Sequence, residues 1–393
     1  MLYDNALLMM AYCQAYTITK KPLYLDVAKR TAAYILREMT SPEGGFYSAQ
    51  DADSEGEEGR YYLFEPGEVS HVLGREAGKA FCKRFDIAPS GNFEGKSIPN
   101  LLHSDPEDES FDALLERLYA YRKKRCSLHL DDKILTAWNA LMIAAFCRLY
   151  QAGGRGGDLE AAKRADQFLS ENLVEGDTLY VSCRNGRRGV KGFLDDYAAY
   201  LFAQLALYGA TLNDTYLERA KRLCAEVKRR FWDEKNGGYF FYGADHESMI
   251  LRPKESYDGA MPSGNSLMAW NLVRLAQLTE DELYEQDARH QLDFLTKETS
   301  QYPAGCAMFL LALLNHEKPP AKITVVPAKD TMISDLPLLL PADAAVMLLK
   351  GPTGSYPLKN GKTTFYFCQG HRCLPPTNEL PVHDHAGRGE AWR

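Results

Sequence analysis

The chain has 393 residues, which is enough for two or three domains of ordinary size and for a large buried core. Its 53 acidic residues outnumber its 46 lysines and arginines, and the net charge of −7 argues against nucleic-acid binding, which needs a concentrated basic surface. Hydrophobic residues make up 45% and charged residues 25% of the chain, the mixture of a globular protein and not of a disordered one.

We expect no targeting signal from the sequence. No apolar run is long enough to cross a bilayer, and the first five residues lack the basic start of a signal peptide. The nine cysteines are an odd number and are scattered along the chain. These features predict a cytoplasmic protein with reduced thiols, without a membrane or nucleic-acid partner.

A pair of helices recurs along the chain. Residues 2–18 carry apolar side chains at helical spacing, Pro22 breaks the pattern, and residues 23–39 resume it. Further pairs are predicted at 134–151 with 158–173, at 194–212 with 214–232 and at 264–279 with 281–297, and a fifth begins at 304–315.

The two helices of each pair differ in character. The first is nearly all apolar or small, as in residues 201–206, whereas the second carries charges on one side, as in residues 218–222. A helix that is apolar all round is buried, and one with an apolar stripe lies at the surface. The alternation predicts a toroid of helical hairpins, although an open solenoid of helix pairs would give a similar pattern.

Two regions depart from this pattern. Residues 66–85 and 107–125 are also predicted to be helical, and we interpret 60–126 as an insertion within a toroid of residues 1–317. From residue 318 onward the chain contains short β-branched or aromatic runs, which predict a small mixed α/β tail over 318–393. The runs lie at 323–326, 345–349 and 364–367.

Acidic residues cluster at four places, of which three are the starts of inner helices. The clusters are 50–58, 131–133, 194–197 and 257–265. Parallel inner helices of a toroid begin at one mouth of its cavity, so we predict that these acids share that mouth. The catalytic candidates are Asp132, Asp196 and Asp258. The substrate-binding candidates are Asp51, Asp53, Trp138, Asn139, Tyr197, Tyr257 and Asn265.

Carboxyl groups and aromatic rings in one cavity suit a carbohydrate. Aromatic faces stack on sugar rings, and a carboxylic acid beside a carboxylate is what hydrolysis of a glycosidic bond requires. Asp and Asn are also preferred helix N-caps, so capping is the simpler interpretation for any single acid. The doubled aspartates at 131–132 and 195–196 indicate a role beyond capping, because one cap needs one carboxylate. None of the nine histidines starts an inner helix, which disfavours epimerisation by a histidine base.

Two other patterns are weaker. Residues 51–56 look like half a calcium loop, but its twelfth position is Tyr62, so we predict a solvated or cavity-lining loop. Cys368 and Cys373 could be a redox pair or part of a zinc site, but zinc needs four ligands and a second clear pair is absent. We predict no metal, no cofactor and no disulfide between these two cysteines.

Five sequence blocks match motifs of one known family. Four are residues 1–8 (MLYDNALL), 44–56 (GGFYSAQDADSEG), 131–139 (DDKILTAWN) and 258–266 (DGAMPSGNS), and the fifth is the cysteine-containing segment 368–375. They resemble the thioredoxin-domain-containing YyaL / spermatogenesis-associated protein 20 family. The resemblance implies a thioredoxin-like domain followed by a six-hairpin (α/α) toroid similar to N-acylglucosamine 2-epimerases and six-hairpin glycosidases, with no agreed catalytic residues.

The chain departs from that family in lacking a thioredoxin-like start and any Cys-x-x-Cys motif, and it offers four hairpins and one helix where a toroid needs six. We therefore expect an (α/α)6-type toroid that is incomplete at its N-terminus. Three functions stay open. They are a carbohydrate-binding or glycosidase- or epimerase-like toroid for a sugar-like small molecule, a non-enzymatic or redox-assisting module with a thioredoxin-like domain in trans, and an inactive fragment.

Overall fold

The structure, a computed structural model, divides into two compact units. The residues that it describes are 1–106, 110–153, 155–245, 251–370 and 372–380. The smaller unit consists of Ser48–Asp132 with Met1, and the larger unit of Leu2–Tyr47 and the chain from Lys133 onward. The final segment of the predicted tail, 381–393, and the first residues of the predicted helix at 107–125 lie outside the described residues.

The described residues form thirteen α-helices, two short 3-10 helices and thirteen short strands. The helices are α1 (Leu2–Thr19), α2 (Pro22–Glu38), α3 (Pro66–Leu73), α4 (Arg75–Arg84), α5 (Asp112–Arg125), α6 (Thr136–Gly153), α7 (Gly156–Asn172), α8 (Leu194–Thr211), α9 (Asp214–Phe231), α10 (Gly264–Thr279), α11 (Glu282–Thr299), α12 (Ala307–Glu317) and α13 (Leu336–Leu339). The strands are β1 (Ala49–Gln50), β2 (Asp53–Ser54), β3 (Glu57–Glu58), β4 (Leu130–Asp131), β5 (Ile134–Leu135), β6 (Val174–Glu175), β7 (Thr178–Leu179), β8 (Ser182–Arg184), β9 (Arg187–Arg188), β10 (Lys322–Val326), β11 (Ala345–Leu348), β12 (Thr364–Gln369) and β13 (Arg372–Cys373).

Five inner helices organise the larger unit. They are α1, α6, α8, α10 and α12, and each packs against the next in chain order. The first four also pack against the outer helix that follows them, which is α2, α7, α9 or α11. The predicted mostly helical fold, in which inner and outer helices alternate, is confirmed.

Burial explains why inner and outer helices differ in sequence. In α6 every residue from Asn139 to Cys147 is buried, so the small and apolar side chains there can pack on all sides. In α9 the buried positions include Leu217, Ala220 and Cys224, which follow one another at spacings of three and four. The charged residues Glu218 and Arg222 lie between them and are exposed, so the stripe predicted from the sequence is the packing face.

The tail forms a four-stranded sheet that belongs to the larger unit. Its strand order is β11-β10-β12-β13, with β11 parallel and β12 antiparallel to β10. Ile323 lies opposite Val346 on one side and Phe367 on the other. All three are buried in the same core as the inner helices. The three predicted β runs are therefore strands.

The edge of this sheet corrects one prediction. Strand β13 runs antiparallel to β12 and places Cys373 opposite Cys368, and the two sulfur atoms are joined in a disulfide. The prediction that they do not pair is wrong. A tight antiparallel turn brings residues five positions apart to a Cα separation of 4.1 Å, and the spacing alone does not reveal such a turn. The other seven cysteines are free and buried.

The smaller unit has its own apolar core, which includes Phe64, Val69, Phe81 and Leu118. Antiparallel pairing of β1 with β4 ties its entering and leaving segments together. The unit thus extends beyond the predicted insertion of residues 60–126 at both ends. In the part of the chain that the structure describes, no helix has the length and apolar character needed to cross a membrane.

Candidate functional site

Two consecutive carboxylates mark the start of α8. The Phe193 N–H donates to Asp196 Oδ2 at 3.0 Å, and the Ala137 N–H, in the first turn of α6, donates to the same carboxylate. The Gly264 N–H, at the first residue of α10, donates to Asp195 Oδ1 at 2.8 Å. Asp195 and Asp196 therefore cap the two inner helices that flank α8. This gives the doubled aspartate a structural explanation, because each carboxylate serves a different helix.

Asp258 plays the same part for the next helix. The backbone N–H groups of Met308 and Phe309, at the start of α12, donate to its Oδ2 at 2.8 and 3.4 Å. The Ser263 N–H donates to its Oδ1 at 2.8 Å. Both carboxylate oxygens of this predicted catalytic residue thus hold backbone groups, with Ser263 itself capping α10.

The electrostatics of the α8 pair differ from those of ordinary surface acids. Burial raises the pKa of Asp196 to about 7, an effect to which the charge of Asp195 adds and which the backbone donors oppose. Burial raises the pKa of Asp195 to about 6, with Glu255 adding to it and the Gly264 N–H opposing it. Near neutral pH one carboxyl of the pair can therefore hold a proton while its neighbour is ionised.

Asn139 and Asn265 occupy matching places in two hairpin units and are both fully buried. The Phe46 N–H donates to Asn139 Oδ1 at 2.7 Å, and Asn139 Nδ2 donates to the Phe46 carbonyl at 2.9 Å. In the other unit the Tyr239 N–H donates to Asn265 Oδ1, and Asn265 Nδ2 donates to the Tyr239 carbonyl, both at 2.9 Å. Each asparagine thus holds a Gly-Gly-aromatic turn against the start of the next inner helix.

The three predicted aromatic residues have different environments. Trp138 is half-buried and meets the Tyr3 ring edge-on, with 4.8 Å between ring centroids. Tyr197 is buried, and its hydroxyl accepts from the Leu179 N–H at 2.9 Å. Tyr257 is 62% exposed, so of the three it has the ring most open to a ligand.

The remaining predicted site residues belong to the smaller unit. Asp51 and Asp53 are exposed, and Asp132 is half-buried. The Asp53 N–H donates to Asp51 Oδ1 at 3.3 Å, just before the β2–β3 hairpin, whose turn residues Glu55 and Gly56 have φ of 54° and 84°. This left-handed turn is typical of a two-residue hairpin, and it accounts for the acidic, glycine-containing sequence. That these acids share a mouth with Asp196 and Asp258 stays a prediction.

Asp195 is not among the site candidates named from the sequence, and Glu255 had no predicted role. The doubled aspartate was the signal that could have found Asp195, and no sequence signal indicates that Glu255 acts on it. Among the residues that the structure describes, no group of three or more His, Cys, Asp or Glu side chains is placed to hold a metal ion.

Comparison with curated proteins supports the resemblance found in the sequence. The chain is 35% identical to mouse "Spermatogenesis-associated protein 20" over 327 residues, which is 71% of this chain and 41% of the mouse protein. It is 28% identical to the human protein of that name, over 96% of this chain and 56% of the human protein. The chain thus spans about half the length of the curated relatives it matches. No protein-family model matches the sequence.

Solved structures give weaker matches. A GH76 α-mannanase from Bacteroides thetaiotaomicron is 14% identical, with a TM-score of 0.46, over 76% of this chain and 61% of its own. A D-mannose isomerase is 15% identical, with a TM-score of 0.41, over 75% of each chain. At these scores the likeness says nothing about what this chain binds.

Proposed function

We propose that this chain, a homologue of spermatogenesis-associated protein 20, binds and processes a carbohydrate where its inner helices begin. The observation that carries the proposal is the pair Asp195 and Asp196, two adjacent carboxyls whose pKa values of about 6 and about 7 lie near neutral pH. Acid–base catalysis works best with groups that titrate close to the working pH.

The chemistry proposed is hydrolysis of a glycosidic bond. The protonated carboxyl gives its proton to the leaving oxygen as the bond to the sugar carbon breaks, and water supplies the hydroxyl that replaces it. The ionised carboxylate takes the proton from that water, so that the pair ends with one proton again. Asp195 is the more accessible of the two and would contact the sugar, with the exposed ring of Tyr257 offering a stacking face. Sugar binding without turnover would use the same contacts.

The roles predicted from sequence divide accordingly. Asp132, Asp51 and Asp53 remain proposed contributors from the smaller unit, and Trp138 a proposed part of the wall. Asp258, Asn139, Asn265 and Tyr197 are proposed to act by position, since their polar atoms hold backbone groups.

The test is glycosidase activity on a panel of oligosaccharides, read as release of reducing ends. Asp195→Asn and Asp196→Asn should each abolish turnover while the helical circular dichroism signal and cooperative melting remain, and Asp132→Asn should do the same. Asp293→Asn is the matched control, because Asp293 is exposed on the outer helix α11. Unchanged turnover in both α8 variants would reduce the pair to helix caps.

A second function is favoured by the disulfide. Cys373 is exposed on the edge strand β13, and Cys368 is half-buried, so a thioredoxin-like dithiol in trans would attack the Cys373 sulfur. That attack forms a mixed disulfide and releases the Cys368 thiolate. The second partner thiol then releases Cys373, so that the partner is oxidised by two electrons and this chain is reduced by two.

Thioredoxin with its reductase and NADPH is the probe for this redox function. We expect one equivalent of NADPH to be consumed per chain, and none by Cys373→Ser. Cys306→Ser is the matched control, because Cys306 is free and buried. Absence of NADPH consumption by the unaltered chain would exclude the redox function while leaving the carbohydrate proposal intact.

A further inference from the structure

A cavity lies between the C-terminal halves of three inner helices, at the opposite end from Asp195 and Asp196. It is lined by α6, α8 and α10 on its sides and by the segment 337–346 of the tail, and it is partly open to solvent. Its apolar wall includes Phe202, Trp270 and Leu340, and its charged groups are Arg148 and Arg274.

The two arginines both hold the tail segment. Arg148 Nη1 donates to the Ala342 carbonyl at 2.7 Å and to Asp343 Oδ1 at 3.2 Å. Arg274 donates to the Asp343 carbonyl from Nη1 at 3.3 Å and to the Ala344 carbonyl from Nη2 at 3.1 Å. Anchoring the tail is therefore one purpose of these side chains.

The charges at this end do not balance. Asp343 is the carboxylate paired with Arg148, its side chain is 48% exposed, and its other oxygen accepts from Gln14 Nε2 at 3.0 Å. Burial lowers the pKa of Arg274 to about 10, and the charge of Arg148 adds to that effect. Two arginine cations thus lie beside one partly solvated carboxylate, an excess of one positive side-chain charge.

Hydrogen-bond donors also remain in the cavity. In the Arg148 guanidinium, only Nη1 bonds to another described residue. Arg274 Nε and Trp270 Nε1 have no acceptor among the residues that the structure describes. None of these nitrogens is a fully buried, unsatisfied atom, so each is accessible to solvent. Unused arginine donors beside an aromatic ring exceed what holding the tail requires.

We propose that this cavity binds a small organic anion, with a carboxylate or phosphate group between Arg148 and Arg274 and an apolar or hydroxylated body against Trp270 and Phe202. Guanidinium groups match the two-oxygen geometry of carboxylate and phosphate, and a mostly apolar wall with a few polar groups is typical of ligand pockets. The proposal does not depend on the carbohydrate function at the other end of the helices.

The test compares three probes in calorimetric titrations of the full chain. They are glucuronate, which is a carboxylate, inorganic phosphate, and glucose as the uncharged match for glucuronate. We expect at least one anion to bind saturably at a single site and glucose not to bind at the same concentrations. The fluorescence of Trp270 should change on binding, and Trp270→Phe should remove that change.

Variants separate an anion site from mere anchoring of the tail. Arg148→Gln should weaken anion binding about tenfold or more, since it removes a charged donor. Arg289→Gln should leave it unchanged, because Arg289 lies exposed on α11. Asp343→Asn should tighten it several-fold by removing the competing carboxylate, whereas arginines that only anchor the tail would give no such gain.

The proposal is overturned if neither anion binds saturably, if glucose binds as well as glucuronate, or if Arg148→Gln and Arg289→Gln bind alike. Should Arg148→Gln fail to fold, the Asp343→Asn variant decides by itself. Unchanged or weaker anion binding in that variant would then exclude the site.

Discussion

The two ends of the inner helices differ in the charged side chains that they carry and in the groups that those side chains bind. At the N-terminal ends, carboxylates from neighbouring segments accept the unpaired backbone N–H groups, as Asp195 does for α10 and Asp258 for α12. Toward the C-terminal ends, Arg148 and Arg274 are placed where the helix dipole favours cations, and they bind carbonyls of the tail.

The two ends also differ in whether side-chain donors are left without a hydrogen-bond partner among the described residues. At the N-terminal end, the polar atoms of the asparagines and aspartates form hydrogen bonds with neighbouring backbone groups, and the aromatic turns fill the space between helices. At the C-terminal end, guanidinium donors remain beside a pocket that is partly open to solvent. Polar residues at the first end therefore have a structural role to be tested, whereas some arginine donors at the second have no partner among the described residues.

The largest effect should come from removing a buried asparagine. Asn265→Ala leaves the Tyr239 N–H and carbonyl and the Glu255 carbonyl without their partner, and we expect a loss of about 4 kcal/mol in the free energy of unfolding. Asn139→Ala should lose about 3 kcal/mol for the same reason. Urea titrations measure both, and Asn236→Ala is the control, since Asn236 is exposed. Losses below 1 kcal/mol in both would show that the turns hold without these residues.

The next effect is a pH dependence. The folded-state pKa of Asp196, about 7, lies above its ordinary value of 3.8, so the folded chain binds this proton more tightly than the unfolded chain. The contribution of this group to the free energy of unfolding is fully present below pH 4 and is lost as the pH rises through 7. One pKa unit is worth about 1.4 kcal/mol, so Asp196→Asn should remove a fall of about 4 kcal/mol between pH 4 and 8. Parallel stability curves for the two chains, measured by urea titration at each pH, would contradict this.

Alanine substitution of one glycine at each end of the inner helices compares how tightly the two ends are packed. A Cβ on Gly264 would lie 2.6 Å from Asp195 Oδ1 and from Leu194, so Gly264→Ala should cost about 2 kcal/mol. A Cβ on Gly209, in α8 beside the cavity, would meet no atom closer than Gln151 Nε2 at 3.8 Å, so Gly209→Ala should stabilise by about 0.5 kcal/mol. Thermal melts of both variants measure the difference, and equal shifts would mean that the two ends are packed alike.

The smallest effect concerns the C-cap of α10. Glu280 has φ of 56°, a left-handed conformation that glycine adopts without strain, so Glu280→Gly should stabilise by about 0.5–1 kcal/mol. Glu280 also pairs with Lys322, and Glu280→Gln removes that ion pair while keeping the backbone strain. A gain in melting temperature for Gln equal to that for Gly would assign the effect to charge instead of backbone.

Most of the fold could be read from the sequence. The predicted inner helix at 264–279 coincides with α10, and the predicted helix at 194–212 ends one residue beyond α8. These features follow from local spacing, because burial of one helix face imposes a period that the residues themselves display.

Less of the candidate site could be read in this way. The sequence located Asp196 and Asp258 but not the helices that their carboxylates cap. The doubling at 195–196 also has a capping explanation, because each aspartate caps a different neighbour. Asn139 and Asn265 were selected as binding residues, whereas their amides hold turns 93 and 26 residues earlier in the chain. Such partners are set by packing between hairpins, which leaves no periodic trace.

The sequence by itself determined the helical hairpins, the division into inner and outer helices and the strands of the tail, since each depends on side chains a few residues apart. Only the tertiary structure decided which backbone groups the carboxylates cap, that Cys368 meets Cys373, and that Arg148 and Arg274 share one cavity beneath the tail. The physical reason is distance along the chain. Hydrogen bonds and charge pairs between remote segments depend on how helices pack, and burial then sets the pKa values that local sequence cannot show.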